Sequence, residues 1–182
     1  VNLNGEVIFK PQFDELYISD NSALVKVDTL FGYVDLKGNW LIHPKYQYAE
    51  RFDKGAAVVK KNGKIELINK TGQKIIDESI DEAFGFKNGV SMVKKGNKYG
   101  FINYEGKYLL PLDDYPSIEE YNWYHGRFQR SDRKYYLIDT AGNLPMKTGV
   151  DEVRIVNNRD TIFAIGKNNK KEFKLIIGST SR

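Results

Sequence analysis

The sequence predicts an all-β protein, a tandem array of about five three-stranded antiparallel units, and three observations lead to this prediction. Glycines mark a repeat of about 34 residues along the 182-residue chain. Aromatic residues make up 13% of the chain, and flat side chains pack well on pleated strands. No segment sustains the 3.6-residue apolar period of a helix. We therefore expect many short strands and little helix.

The repeat is clearest in four phrases that end in glycine: VDLKG (34–38), INKTG (68–72), INYEG (102–106) and IDTAG (138–142). Their glycines are spaced by 34, 34 and 36 residues, and Gly5 and Gly178 extend the series at both ends. An apolar residue, usually aromatic, precedes each phrase, and an apolar pair follows most of them. A repeated unit of this size cannot bury its apolar face alone, so neighbouring units are expected to stack.

Each unit reads as three short strands followed by a polar loop. In the second copy, Asn62-Gly63 separates two apolar runs and supplies the positive φ of a tight hairpin turn. A second turn with glycine leads to a short third strand. We treat the chain as one repeat domain, residues 1–182, with approximate units at 1–10 (partial), 11–44, 45–78, 79–111, 112–146 and 147–182.

Two stretches, KYGFINYEGKYLLP (98–111) and FGYVDLKGNWLIHPKYQYAERFDKGAAVV (31–59), resemble the WG repeat, also called the KWG repeat, of bacterial proteins. The resemblance extends over nearly the whole chain. The Trp-Gly pair of the family is Phe31-Gly32 and Tyr99-Gly100 in the two best copies, and Ile65-Glu66, Tyr135-Tyr136 and Phe173-Lys174 elsewhere. The weaker units are expected to pack less regularly. The resemblance implies an interaction repeat, with no reaction, substrate or cofactor.

The array is open and solenoid-like or closed and propeller-like, and the sequence supports arguments for both. Residues 5–9, GEVIF, read as a third strand that lacks its first two, whereas the chain ends in a first and a second strand. Complementary ends favour closure. The usual propeller blade takes roughly 40–45 residues and four strands, more than this unit offers.

Basic residues recur around the first hairpin turn of four units and form a candidate anion-facing surface, which we call the basic ridge. Its members are Lys60, Lys61, Lys64, Lys94, Lys95, Lys98, Arg133, Lys134, Lys167, Lys170 and Lys171. Acidic residues gather in the loops after the third strand, so a regular array is expected to separate the two charges on different edges. The ridge faces a polyanion, or its lysines guard strand edges against aggregation.

The fourth copy departs most from the pattern and holds a set of aromatic and basic residues, the copy-four set. Its members are Tyr115, Tyr121, Trp123, Tyr124, His125, Arg127 and Arg130. Aromatic rings edged by arginine are typical of protein-binding hot spots. Some of these rings belong to the core in the alternative interpretation.

No catalytic or metal-binding signature is present. The chain has no cysteine and two histidines, His43 and His125, in unrelated positions. The acidic phrase DESIDE (77–82) lacks the ligand pattern and glycine of an EF-hand loop. There is no apolar run of 18 residues. Because the chain begins at Val1, we expect an excised or processed chain.

These observations predict a non-catalytic scaffold that binds a protein partner through an extended surface, without a cofactor or metal. The alternative is an adhesion module that binds a polyanion or a surface polysaccharide through the basic ridge. A regulatory partner of a secreted effector is a third possibility. The compartment stays open between a periplasmic, surface or secreted location and the cytoplasm.

Overall fold

The computed structural model describes residues 13–122, 125–146, 148–158, 161–168 and 171–179. Within these ranges it contains 17 strands and no helix. The strands form five antiparallel sheets that follow one another along the chain, and none of these sheets is closed. The all-β prediction is confirmed.

Each sheet is a meander in which strands adjacent in sequence are hydrogen-bonded neighbours. Sheet 1 contains β1 (Glu15–Ser19), β2 (Ser22–Val27), β3 (Leu30–Asp35) and β4 (Trp40–Tyr46). Sheet 2 contains β5 (Tyr48–Ala49), β6 (Ala56–Lys61) and β7 (Lys64–Asn69). Sheet 3 contains β8 (Glu82–Ala83), β9 (Val90–Lys95), β10 (Lys98–Asn103) and β11 (Tyr108–Asp113).

The last two sheets have three strands each. Sheet 4 contains β12 (Ser117–Asn122), β13 (His125–Gln129) and β14 (Tyr135–Asp139). Sheet 5 contains β15 (Glu152–Asn158), β16 (Thr161–Asn168) and β17 (Lys171–Ser179). The first strand of every sheet comes from the polar stretch that the sequence indicated as a connecting loop, so sheets 1 and 3 have one strand more than predicted.

The repeated glycines share one turn geometry, as predicted. Gly38, Gly72, Gly106 and Gly142 have φ values of 88, 78, 86 and 87°. Three residues before each glycine, an Asp or Asn Oδ1 accepts hydrogen bonds of 2.8–3.1 Å from the backbone N–H groups two and four residues ahead. These bonds explain why the phrase needs Asp or Asn at that position, since both carry the accepting oxygen.

Successive sheets stack on one another, which confirms the predicted packing. In β6, Ala57 and Val59 pack with sheet 1, whereas Ala56 and Val58 pack with sheet 3. Because side chains alternate along a strand, both faces of such a sheet are apolar. Large side chains fill each of the four interfaces: Tyr33 and Phe52, Leu67 and Ile102, Phe101 and Phe128, and Leu137 and Val153.

The glycine of the aromatic-glycine pair lies where the third and fourth strands of a sheet come closest. A Cβ placed on Gly32 would lie 2.7 Å from the Ile42 carbonyl oxygen, and one on Gly100 would lie 2.7 Å from that of Leu110. Real Cβ atoms do not approach backbone that closely. Sheets 1 and 3, which carry these glycines, are the four-stranded ones.

Sheets 2 and 4, which lack a glycine at this position, have isolated bridges in place of a fourth strand. In sheet 2, where Glu66 takes the position, the following segment meets β7 only at the isolated bridges Ile68–Lys74 and Ile65–Ile80. In sheet 4, the corresponding contact is one bridge between Tyr135 and Val150. The prediction that the weaker units pack less regularly is confirmed for these two sheets.

The expected pairing of the chain ends rests on Gly5 and residues 5–9, which lie outside the described residues. An open and a closed array therefore both stay alternative predictions.

Candidate functional site

A basic side chain on the second strand pairs with an acidic one on the first strand in four of the five sheets. The pairs are Lys26–Glu15 at 2.8 Å, Lys94–Glu82 at 2.6 Å, Arg127–Glu119, and Lys167–Glu152 at 3.7 Å. In each pair the two residues are direct cross-strand partners. The sequence pattern does not reveal this repeated position, because the first strands lie in polar stretches that predict loops.

Other ridge members are paired as well. The Lys95 ammonium lies 2.7 Å from a Glu78 carboxylate oxygen, and Lys134 pairs with Asp151. The Lys95 contact and the Tyr108 hydroxyl lower the pKa of Glu78 below its ordinary value. The expected separation of basic turns and acidic loops on different edges is therefore wrong. Exposed pairs of this kind contribute roughly 0–1 kcal/mol each, but they neutralise the local field.

Sheet 2 is the exception along the basic ridge. Its cross-strand position pairs Lys60 with Tyr48, which carries no charge. Among the ion pairs of the described residues, none involves Lys60, Lys61 or Lys64. Lys98 in sheet 3 and Arg133 in sheet 4 are likewise in none of the ion pairs of the described residues. Lys170 and the side chain of Lys171 lie outside the described part of the chain.

Three members of the copy-four set, Tyr115, Arg127 and Arg130, make packing contacts around sheet 4. Tyr115 is half-buried, its ring makes an edge contact with Phe128 at 5.5 Å, and its hydroxyl donates to the Pro111 carbonyl at 3.1 Å. Burial raises the pKa of Tyr115. The Arg130 guanidinium lies 4.5 Å from the centre of the Tyr136 ring. These contacts favour the core interpretation for Tyr115.

Arg127 connects sheets 4 and 5. Its guanidinium donates to the Val153 carbonyl at 2.8 Å, pairs with Glu119 and lies 5.3 Å from the centre of the Tyr135 ring. This side chain is thus committed to contacts within the protein. Trp123, Tyr124 and the side chains of Tyr121 and His125 lie outside the described residues, so their binding role stays a prediction.

A concave surface, which the sequence did not predict, lies where sheets 1, 2 and 3 meet. It encloses a cavity of about 650 Å³. Its lining includes Tyr17, Ser19, Arg51, Phe52 and Phe86. The Tyr17 side chain is 47% exposed, and Arg51 is exposed as well. Tyr17 lies in a first strand and Arg51 directly follows another, in stretches that we interpreted as polar loops.

Hydrogen bonds between sheets hold the turns around this concave surface. The Asp20 carboxylate accepts the Gly55 N–H at 2.8 Å. One repeat later, the Asp53 carboxylate accepts the N–H groups of Asn88 and Gly89 at 3.0 and 2.6 Å. The surface is therefore preorganised by contacts that repeat with the unit.

The comparisons with known proteins agree with the repeated geometry. The family model described as "WG containing repeat" matches residues 1–28, 31–64 and 67–99, which together make up just over half of the chain. The chain belongs to the WG repeat family. The third match ends within β10, before sheet 4 and its Tyr135-Tyr136 pair. A search of curated proteins returns no match.

Solved structures similar to this WG repeat protein are distant in sequence. KlHsv2 with loop 6CD replaced by a Gly-Ser linker is 10% identical at a TM-score of 0.45, over 95% of this chain and 73% of that one. Kluyveromyces lactis Hsv2 with complete loop 6CD is 13% identical at 0.45, over 86% and 59%. The WD40 beta propeller domain of Doa1 is 11% identical at 0.28, over 85% and 64%. These similarities are too distant to transfer a partner.

Two further searches of the described residues found nothing. No cluster of three or more His, Cys, Asp or Glu side chains there is arranged to hold a metal ion. No helix in the described ranges is long and apolar enough to span a membrane.

Proposed function

We propose that this WG repeat protein is a non-catalytic scaffold and that a protein partner docks on the concave surface between sheets 1, 2 and 3. The observation that carries the proposal is that exposed Tyr17 and Arg51 both line a cavity built by three consecutive repeats. Tyrosine and arginine are enriched among the residues that dominate binding energy. A preorganised surface also loses less conformational entropy on binding.

The test places a photo-crosslinking amino acid at Tyr17 and, as the control, at Tyr104, which is exposed on a turn outside the concave surface. We expect one protein of the source cell to crosslink at position 17 and not at 104. Arg51→Ala should weaken this crosslinking about tenfold, the loss expected for a hot-spot arginine. Equal crosslinking at both positions would contradict the proposal.

The copy-four aromatics Trp123 and Tyr124 are a second candidate contact for the same function. Changing both to alanine should weaken partner capture while the melting temperature stays nearly constant. A large fall in melting temperature would assign them to the core instead.

Polyanion binding is the alternative function. Lys60, Lys61 and Lys64 favour it because they lie together around one turn and, like Lys98 and Arg133, are in none of the ion pairs of the described residues. If it operates, the triple change of these lysines to glutamate should abolish heparin retention, which should fade with salt. Changing the ion-paired Lys94 and Lys95 to glutamate should have a smaller effect. Salt-insensitive or absent retention of the unchanged protein would exclude this function.

A further inference from the structure

The cleft beside β7, which we call the sheet-2 cleft, exists because Glu66 stands where sheets 1 and 3 have glycine. A side chain at this position excludes the close approach that β4 makes to Gly32. Residues 74–80 meet β7 at the bridges Ile68–Lys74 and Ile65–Ile80 and through a hydrogen bond of 2.9 Å from the Ile75 N–H to the Leu67 carbonyl. Between these contacts the segment leaves β7 and opens a cleft of about 430 Å³.

The floor of the sheet-2 cleft is apolar. Leu67 and Ile80 are buried there, and Ile65 and Ile76 are half-buried. The volume falls within the range of roughly 300–1,000 Å³ that is typical of binding pockets. β7 forms one wall of the cleft, and its outer main-chain edge is already paired at the bridges Ile65–Ile80 and Ile68–Lys74. A bound segment is therefore held by side-chain contacts with the floor and the rim.

The rim of the sheet-2 cleft is acidic overall. It carries Asp77, Glu78, Asp81 and Glu66 against Lys64 and Lys74. Lys74 lies 2.9 Å from Glu66, so this pair is neutral. Glu78 is paired with Lys95 from sheet 3, whereas no ion pair of the described residues involves Asp77. A cationic side chain of a ligand complements this rim better than an anionic one.

We propose that the sheet-2 cleft receives an extended segment of a protein partner, which places an apolar side chain on the floor and sets a Lys or Arg against Asp77. This site rests on the proposed protein-binding function but not on the concave surface. Since β5 and β7 form opposite edges of sheet 2, the two surfaces use different sides of that sheet.

The test uses two short peptides, acetyl-KVIVK-amide and acetyl-EVIVE-amide, titrated into the labelled protein and followed by NMR. The lysine peptide should bind saturably and shift the amide signals of residues 65–67 and 76–81. The glutamate peptide should bind about tenfold more weakly because its charges face the acidic rim. Asp77→Asn should weaken binding of the lysine peptide severalfold, whereas Asp114→Asn, an exposed control outside the cleft, should not.

Two substitutions at Glu66 separate the space that its side chain occupies from its charge. Glu66→Gly should let residues 76–79 close onto β7, slow their amide exchange and remove peptide binding. Glu66→Gln keeps the side chain and should keep the cleft. The proposal is overturned if the lysine peptide does not bind saturably, or if binding survives in a Glu66→Gly protein. If the Glu66→Gly variant does not fold, the comparison of the two peptides and the effect of Asp77→Asn on binding test the proposal without it. Failure here would leave the Tyr17 crosslink unaffected.

Discussion

Sheets 1 and 2 pair equivalent residues, yet sheet 1 has a fourth strand and sheet 2 does not. In sheet 1, Phe31 pairs with Tyr46 and Val34 with Trp40. The same two pairings recur 34 residues later, as the bridges Ile65–Ile80 and Ile68–Lys74 of sheet 2. Between these points β4 adds one pair, Tyr33 with Ile42, with a register shift on each side of it, whereas sheet 2, among the described residues, has no pair between its two bridges. Sheet 2 also has Glu66 where sheet 1 has Gly32, and the variants below test whether this side chain accounts for the difference.

Sheet 4 shows a second way to make the same close approach. Tyr136 occupies the glycine position, and the segment that crosses it carries Gly149. A Cβ on Gly149 would lie against the Cβ of Lys134 and 2.6 Å from Cζ of the Tyr136 ring. Next to it, Tyr135 and Val150 exchange two backbone hydrogen bonds of 2.8 and 3.1 Å. In sheet 4 the glycine therefore lies on the crossing segment and not on the third strand. In both arrangements, the close approach needs one of the two facing residues to lack a side chain.

The largest effect is expected where this space is filled. Gly32→Ala should destabilise the protein by about 2–3 kcal/mol, because the new Cβ overpacks against backbone that cannot move independently. Glu66→Ala, the matched change one repeat later, removes a half-buried ion pair with Lys74 but introduces no overlap with backbone, so it should cost less than Gly32→Ala. Urea unfolding measures both. Equal costs would contradict the explanation.

Sheet 4 should respond in a similar way but through a side chain. We expect Gly149→Ala to cost about 1–3 kcal/mol by overpacking against Lys134 and Tyr136. The same substitution should cost less in a Tyr136→Ala background, because the ring contact is then absent and only the contact with Lys134 is left. A double-mutant cycle on unfolding free energies measures this coupling. Simple additivity would show that the ring and the glycine act independently.

A smaller difference is expected between the two carboxylates that tie successive sheets. Asp53→Ala leaves two backbone N–H groups without their acceptor, whereas Asp20→Ala leaves one. We expect losses of about 1–2 kcal/mol for Asp53 and about half of that for Asp20. Thermal unfolding of both variants provides the measurement, and the reverse order would contradict the assignment.

The sequence was sufficient for the fold class and for the turns, because these depend on local chemistry. Positive φ at Gly38 and an acceptor at Asp35 act within five residues and leave a direct pattern. The first strands could not be predicted, since β5 and β8 have two residues each and owe their conformation to pairing with β6 and β9. The ion pair of Glu82 with Lys94 depends on that strand pairing, so the sequence could not predict it either.

The candidate sites were less predictable for a related reason. Glu66 was noted as a departure from the repeated pair, but the role of the glycine depends on a strand that crosses it ten residues later. The concave surface needs three sheets in place before Tyr17 and Arg51 come together. Such contacts are tertiary, and no spacing within one unit encodes them.

The smallest effect concerns the cross-strand pairs. A hydrogen bond from Lys26, helped by Tyr17, lowers the pKa of Glu15 below its ordinary value. Stability from this pair is therefore present above the unfolded-state pKa of the carboxyl and is lost as the pH falls through the lowered value. In a Lys26→Met variant, NMR titration should show the Glu15 pKa moving up. An unchanged pKa would remove Lys26 as its cause.

The most direct test of the central claim converts sheet 3 into a copy of sheet 2. In a Gly100→Glu variant, amide exchange should become fast in β11, at residues 108–113, while residues 91–93 of β9 stay protected. That pattern would show that the glycine of the aromatic-glycine pair permits the fourth strand. Unchanged protection of β11 in a folded variant would contradict the account.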